Sequence, residues 1–205
     1  RHFRALLVNL ARQTDAKGIS ILAHSAGTPI VANALREIRL LNDELSPERL
    51  QAKYRIDRVI LAAPDMDLME FLNAVMDGFD LVAEGVAVYA SPEDLALKAS
   101  SLLFRETRLG RSVGRLTPVE SEVLRRAGGI EMIDVGYPES LHGDFLGHGY
   151  FLHNPWVSSD LGLFYFNLPP ERRGLVREPG DIFWKFPEDY PERLSSLRDG
   201  IHAEH

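Results

Sequence analysis

Residues 18–29, Gly-Ile-Ser-Ile-Leu-Ala-His-Ser-Ala-Gly-Thr-Pro, constrain the fold of this chain more than any other stretch. An apolar run with two isoleucines ends at Ala23, and apolar residues at helical spacing begin after Gly27. Small residues stand two positions before and two positions after Ser25, which suits a sharp strand-to-helix turn with closely packed neighbouring backbone. The stretch has the pattern of a nucleophile elbow, in which a serine sits in strained backbone, with Ala23 in place of the more usual glycine.

The composition is that of a globular protein and argues against several classes of function. The chain has 205 residues, 45% of them hydrophobic and 26% charged, which is enough for one domain with a substantial core. A formal net charge of -7, without a dense run of Lys and Arg, argues against a nucleic-acid partner. The chain has no cysteine, which excludes disulfides and cysteine-based metal sites. No stretch approaches the roughly 18 consecutive apolar residues of a membrane span.

Segments typical of strands alternate with segments typical of helices along most of the chain. The predicted strands cover residues 18–23, 57–63, 85–90 and 129–135. This alternation predicts an α/β fold, a parallel sheet with helices on both faces. We expect this partial domain to span residues 1–168. Residues 169–205 are expected to form an irregular tail that Phe183, Trp184 and Phe186 hold against the domain.

Three loops after these strands carry the residue types of nucleophilic catalysis. Ser25 follows the first strand, Asp94 the third and His148 the fourth, and reactive groups in open parallel sheets collect beyond the carboxyl ends of strands. The imidazole of His148 would accept the proton of the serine hydroxyl. Asp94 would bind the other ring nitrogen and fix its tautomer. The backbone N–H of Ala26, at the start of the following helix, would be one oxyanion donor.

Other aspartates compete for the role of the acid. Asp65 and Asp67 end the second predicted strand and are the alternative candidates. Asp94 also has a second interpretation, since it precedes the helical pattern that begins at Leu95 and can cap that helix. An aspartate at this position can cap the helix and still serve as the acid, so Asp94 stays the predicted acid.

The chain has seven histidines, and the candidate for the general base must be chosen among them. His24 adjoins the serine, but we expect its side chain to point to the other side of the elbow and to pack. His148 is preferred to His142 and His153, because flanking glycines let its loop turn the imidazole inward. A metal site at His142, Asp144 and His148 would lack a pair of ligands at i and i+4 on a predicted helix, so no metal is expected.

Four short segments, residues 23–27, 61–65, 89–97 and 146–151, occur in an order that resembles the α/β-hydrolases. More narrowly, they resemble a bacterial family of uncharacterised serine hydrolases formerly classed as a domain of unknown function. The resemblance covers residues 18 to about 166 and implies the same triad, Ser25, Asp94 and His148. In that fold, further strands and the loop with the second oxyanion donor precede the elbow. The chain opens inside a helical pattern, so we expect those strands upstream of residue 1.

These observations predict a serine hydrolase of the carboxylesterase or lipase type. It would cleave a small-molecule carboxylic ester through an acyl-enzyme intermediate, without a cofactor. One alternative is an acyltransferase or thioesterase that uses the same triad. The other is a non-catalytic interaction module with an α/β-hydrolase-like fold. The presence of all three triad residues favours an enzyme.

Overall fold

Runs of β-branched and small apolar residues form five strands of one sheet. The computed structural model describes residues 2–104, 107–138 and 148–203. Its strands are β1 (Ile19–His24), β2 (Ile56–Ala62), β3 (Ala83–Ala90), β4 (Ile130–Asp134) and β5 (Phe183–Lys185). They lie side by side in that order, and every pairing is parallel. The predicted parallel α/β sheet is therefore confirmed.

Helices connect the strands, and several of them begin at a proline or at a capping side chain. They are α1 (His2–Gln13), α2 (Thr28–Leu40), α3 (Pro47–Tyr54), α4 (Leu68–Met76), α5 (Leu95–Phe104), α6 (Pro118–Ala127), α7 (Tyr150–His153), α8 (Pro155–Tyr165) and α9 (Tyr190–Ala203). Proline stands in the first turn of α2, α3, α6 and α8, where its missing N–H costs nothing. Side chains of Asp67, Thr117 and Asn154 cap α4, α6 and α8.

Each face of the sheet carries its own apolar core. Along β2, Val59 and Leu61 belong to one core, and Ile60 and Ala62 belong to the other, because successive side chains of a strand point to opposite faces. The first core also contains residues of α1, α2, α4 and α6, including Leu7, Leu35, Phe71 and Leu124. The second contains residues of α5, α7, α8 and α9, including Leu97, Tyr150, Leu161 and Tyr190. Helices thus cover both faces.

The strand register brings the carboxyl ends of three strands to one level. His24 is paired with Ala62, and Ala62 with Tyr89, so β1, β2 and β3 end side by side. The loops that follow these strands are therefore neighbours at one edge of the sheet, where groups on separate loops can meet.

The C-terminal tail is more regular than its sequence predicts. Residues 183–185 form β5 and pair with β4, and Tyr190–Ala203 is helical, so the expectation of an irregular tail is wrong. The predicted aromatic anchors are buried: Phe183 enters the first core, and Trp184 and Phe186 enter the second. A three-residue strand has too little periodicity to be visible in the sequence. It forms because β4 offers unpaired backbone groups. The boundary at residue 168 stays a prediction.

The opposite edge of the sheet is β1. In the part of the chain that the structure describes, β1 pairs with β2 alone. Leu22 on this strand and Ile30 on α2 are half exposed. The expectation of further strands upstream of residue 1 stays a prediction.

Candidate active site

The candidate nucleophile lies in a tight turn between β1 and α2. Ser25 begins a 3-10 turn (Ser25–Gly27) and has φ 51°, a left-handed conformation that a serine rarely adopts. Its carbonyl accepts hydrogen bonds from Thr28 Oγ1 at 2.7 Å and from the Asp65 N–H at 3.3 Å, and these bonds hold the strained residue in place. The strand, turn and helix therefore occur as the sequence predicts.

The structure does not support the expectation that close packing requires a small residue at position 27. Gly27 has φ -73°, and a Cβ atom built on it would meet no described atom within 4 Å. Close packing therefore does not require glycine there, at least against the residues that the structure describes. The unusual conformation falls on Ser25 itself.

Asp94 and His148 form a close pair beyond the ends of β3 and β4. The Nδ1 atom of His148 lies 2.7 Å from the Oδ2 atom of Asp94. Asp94 is 1% exposed and the His148 side chain 19%. Because a carboxylate oxygen only accepts, Nδ1 carries the proton, and in the neutral ring Nε2 is left as the acceptor. The pair thus presents an imidazole in the tautomer that can take a proton from a hydroxyl group.

The second oxygen of Asp94 caps α5. The backbone N–H of Leu97 donates to Asp94 Oδ1 at 2.9 Å. Asp94 can therefore cap the helix and bind the histidine at the same time, because each role uses a different oxygen.

A short turn that sequence reasoning missed holds the Asp94 loop. The residues Leu109–Arg111 form a 3-10 turn. The Gly110 carbonyl accepts from the Ser91 N–H at 2.8 Å, and the Gly110 N–H donates to the Pro64 carbonyl at 3.0 Å. The Arg111 guanidinium donates to the Pro92 carbonyl at 3.1 and 3.3 Å. The turn therefore joins the loop after β2 to the loop after β3. Its sequence is that of an ordinary Gly- and Arg-containing loop and carries no signal of this role.

Tyr150 anchors the segment that carries His148. Its hydroxyl accepts the Ala63 N–H at 2.8 Å and donates to the Tyr89 carbonyl at 2.7 Å, so it joins the ends of β2 and β3. The side chain is 1% exposed. No role was predicted for Tyr150 from the sequence. Its signals were its place two residues after His148 and within the segment 146–151 that resembles the α/β-hydrolases.

His24 faces His148. Its Nε2 atom lies 3.0 Å from the His148 carbonyl oxygen, and the two ring centroids are 4.7 Å apart. His24 packs as expected, against the rings of His148 and Phe151, but the end of β1 turns its side chain toward the loop before α7, so it does not point away from the candidate base. Burial is the main cause that lowers the pKa of His24 below its usual 6.5.

The alternative acids have other partners. Asp65 accepts a hydrogen bond from Ser100 Oγ at 2.8 Å and pairs with Arg108 Nε at 3.2 Å. Asp67 accepts from the Glu70 N–H at 3.0 Å and caps α4. Neither of these contacts involves His148, so the geometry favours Asp94 as its partner.

The remaining candidates lie apart from this pair or outside the described residues. His153 ends α7 and is exposed, and His142 and Asp144 lie outside the described residues. Among the residues that the structure does describe, no group of three or more His, Asp or Glu side chains is placed to hold a metal ion.

Ala26 follows Ser25 and lies just ahead of α2, at the positive end of that helix. No helix within the described ranges has the length and apolar character to cross a membrane.

The fold and the site define the class of the protein. A parallel sheet that leads through a strained serine into a helix, with an Asp–His pair beyond later strands, is the arrangement of an α/β-hydrolase. Residues 1–163 match the family described as alpha/beta hydrolase of unknown function (DUF900), and the chain belongs to this family. The family suspected from the four sequence segments is thus confirmed. No curated protein and no solved structure matches the chain.

Proposed function

We propose that this α/β-hydrolase is a serine hydrolase that cleaves a carboxylic ester through an acyl-enzyme intermediate. One observation carries the proposal: His148 Nδ1 lies 2.7 Å from a carboxylate oxygen of the buried Asp94. A carboxylate in this position makes Nε2 the acceptor nitrogen of the neutral ring and stabilises the imidazolium that forms when Nε2 takes a proton. This arrangement is what a general base needs, and it supports an enzyme over a non-catalytic module.

The reaction follows from these groups. Ser25 Oγ attacks the ester carbonyl carbon while its proton passes to His148 Nε2. The negative charge moves to the carbonyl oxygen, where the Ala26 N–H is the candidate donor. As the C–O bond to the alcohol breaks, His148 returns the proton to the leaving oxygen. Water then attacks the acyl-serine by the same route, with His148 as base, and the acid and free serine are released.

The burial of Asp94 strengthens its effect on His148. The attraction between a carboxylate and an imidazolium grows as water is excluded, because the effective dielectric constant falls. At 1% exposure, Asp94 is shielded from solvent on nearly every side. The Leu97 N–H donates to Asp94 itself, and Arg111 donates to the Pro92 carbonyl, so hydrogen bonds tie this loop to α5 and to the Leu109–Arg111 turn. The acid is therefore held in place before the reaction begins, as electrostatic catalysis requires.

A fluorophosphonate probe tests the proposal on the natural protein. The probe reacts with an activated serine, so we expect one modified peptide, the one that contains Ser25. Ser25→Ala should abolish labelling, while Ser20→Ala, an exposed serine on β1, should leave it unchanged. Absence of labelling in the wild type, or equal labelling of Ser25→Ala, would overturn the proposal. Product analysis with an added alcohol or thiol acceptor then separates hydrolysis from acyl transfer.

A further inference from the structure

His24 connects the candidate nucleophile to the candidate base. It is the last residue of β1 and directly precedes Ser25, while its side chain contacts the loop before α7. The contact joins positions 124 residues apart in the chain. The elbow and the base are thus linked by one side chain that has no part in the proposed mechanism.

The hydrogen bond of His24 has a defined direction. Its Nε2 atom lies 3.0 Å from the backbone carbonyl oxygen of His148, and a carbonyl oxygen only accepts. His24 Nε2 therefore carries the proton and donates it. Because the acceptor is backbone, the bond restrains the main chain of His148 and so the point from which its imidazole projects.

The ring of His24 also restrains the imidazole itself. Its centroid lies 4.7 Å from that of His148 and 4.6 Å from that of Phe151, with interplanar angles of 50° and 35°. The His24 ring therefore packs against both rings and occupies the space beside them. A smaller side chain would leave that space to be filled by movement of the loop.

The charge state of His24 suits this role. Burial lowers the pKa of His24 below 6.5 and the charge of His148 acts in the same direction, while the hydrogen bond to the His148 backbone and the Asp94 carboxylate oppose them. At neutral pH the ring is therefore mainly uncharged. A neutral neighbour does not oppose the positive charge that His148 gains during the reaction, whereas a second imidazolium 4.7 Å away would.

We propose that His24 is a positioning residue for His148. Its N–H holds the backbone of the base, and its ring holds the orientation of the imidazole relative to the elbow. This inference rests on the proposed function of Ser25 and His148 for its effect on rate. The contact itself is independent of that function.

Two substitutions separate the two parts of the role. His24→Phe keeps an aromatic ring and loses the donor, and His24→Gln keeps an N–H donor at similar reach and loses the ring. His153→Phe is the matched control, since His153 is exposed and lies in the same region of the chain. For each variant, kcat, KM, the rate of fluorophosphonate labelling and the melting temperature are measured.

A displaced base lowers the rate without weakening substrate binding. We expect His24→Phe to lower kcat and the labelling rate by about 100-fold at nearly constant KM, since a shift of about 1 Å can have that effect. In His24→Gln, kcat and the labelling rate should be at least about ten-fold higher than in His24→Phe, and His153→Phe should match the wild type. A labelling rate of His24→Phe within about three-fold of the wild type would overturn the inference. Equal losses in both variants, with equal falls in melting temperature, would overturn it as well, since they indicate a structural role.

A proton NMR signal tests the positioning of the base without any activity. The His148 Nδ1–H is bonded to Asp94 and should give a slowly exchanging downfield resonance in the wild type. We expect that resonance to broaden or disappear in His24→Phe and to persist in His153→Phe. An unchanged resonance would refute the positioning role even if Ser25 is active. A wild type that shows the resonance but no Ser25 labelling would refute only the proposed function.

Discussion

Replacing Asp94 by asparagine changes one atom of the candidate site and tests the proposed acid. Among the residues that the structure describes, the Leu97 N–H donates to Oδ1 of Asp94 and His148 Nδ1 donates to Oδ2. In Asp94→Asn, one of these donors must face an NH2 group. The Leu97 N–H is part of a helix and cannot change, whereas an imidazole can move its proton to the other nitrogen. The amide oxygen should therefore stay on Leu97, and the NH2 group should face His148.

This orientation reverses the tautomer of His148. Nδ1 must then accept a hydrogen bond, so the ring proton moves to Nε2, the atom that should take the serine proton. The variant also loses the negative charge that stabilises the imidazolium. For this combination we expect kcat/KM to fall by about 10³- to 10⁴-fold. The activation barrier rises by roughly 4 to 5.5 kcal/mol. The helix cap survives, so the free energy of unfolding should change by less than about 1 kcal/mol.

Ester hydrolysis, fluorophosphonate labelling and urea unfolding measure these effects. Asp94→Ala provides a contrast, because it should be equally inactive but also less stable by about 0.5–2 kcal/mol through loss of the cap. Asp65→Asn is the matched control and should keep activity within a few-fold of the wild type. If Asp94→Asn kept more than a tenth of wild-type activity, or if Asp65→Asn caused the larger loss, the assignment of the acid would be refuted.

Three further substitutions test how the site and core are built. Tyr150→Phe removes the hydroxyl that bridges the Ala63 N–H and the Tyr89 carbonyl, which are also bonded directly at 3.1 Å, so urea unfolding should show a loss of about 0.5–1.5 kcal/mol, and no loss would contradict the proposed anchor. Gly110→Ala places a Cβ atom against Leu97 and within 3.0 Å of the Pro64 backbone. It should lower the free energy of unfolding by about 1–3 kcal/mol, seen as a lower melting temperature. Burial raises the pKa of Asp80 from 3.8 to about 6, so the wild type should gain stability as pH falls from 7 to 4. Asp80→Asn should lack this gain. The free energy of unfolding of Asp80→Asn minus that of the wild type should therefore be greater at pH 7 than at pH 4, by roughly 2 to 3 kcal/mol. A difference that does not depend on pH would contradict this interpretation.

Periodicity made the main strands and the class of fold predictable. Alternating β-rich runs and helical spacing are properties of neighbouring residues, and they indicated β1 to β4 and the parallel sheet. β5 was not predicted, because its three residues form a strand only through pairing with β4, from Met132↔Phe183 to Asp134↔Lys185. Their aromatic side chains still predicted that this part of the tail would be buried.

The elbow, the order of serine, aspartate and histidine, and the family could be predicted from the sequence, because each depends on short segments of chain. Which side chains meet depends on the three-dimensional fold. Asp94 rather than Asp65 contacts His148, across 54 positions. Tyr150 reaches Ala63 across 87 positions, and His24 reaches His148 across 124. Such contacts depend on the register of the strands and on how the loops fold back over their ends. Local sequence patterns contain neither.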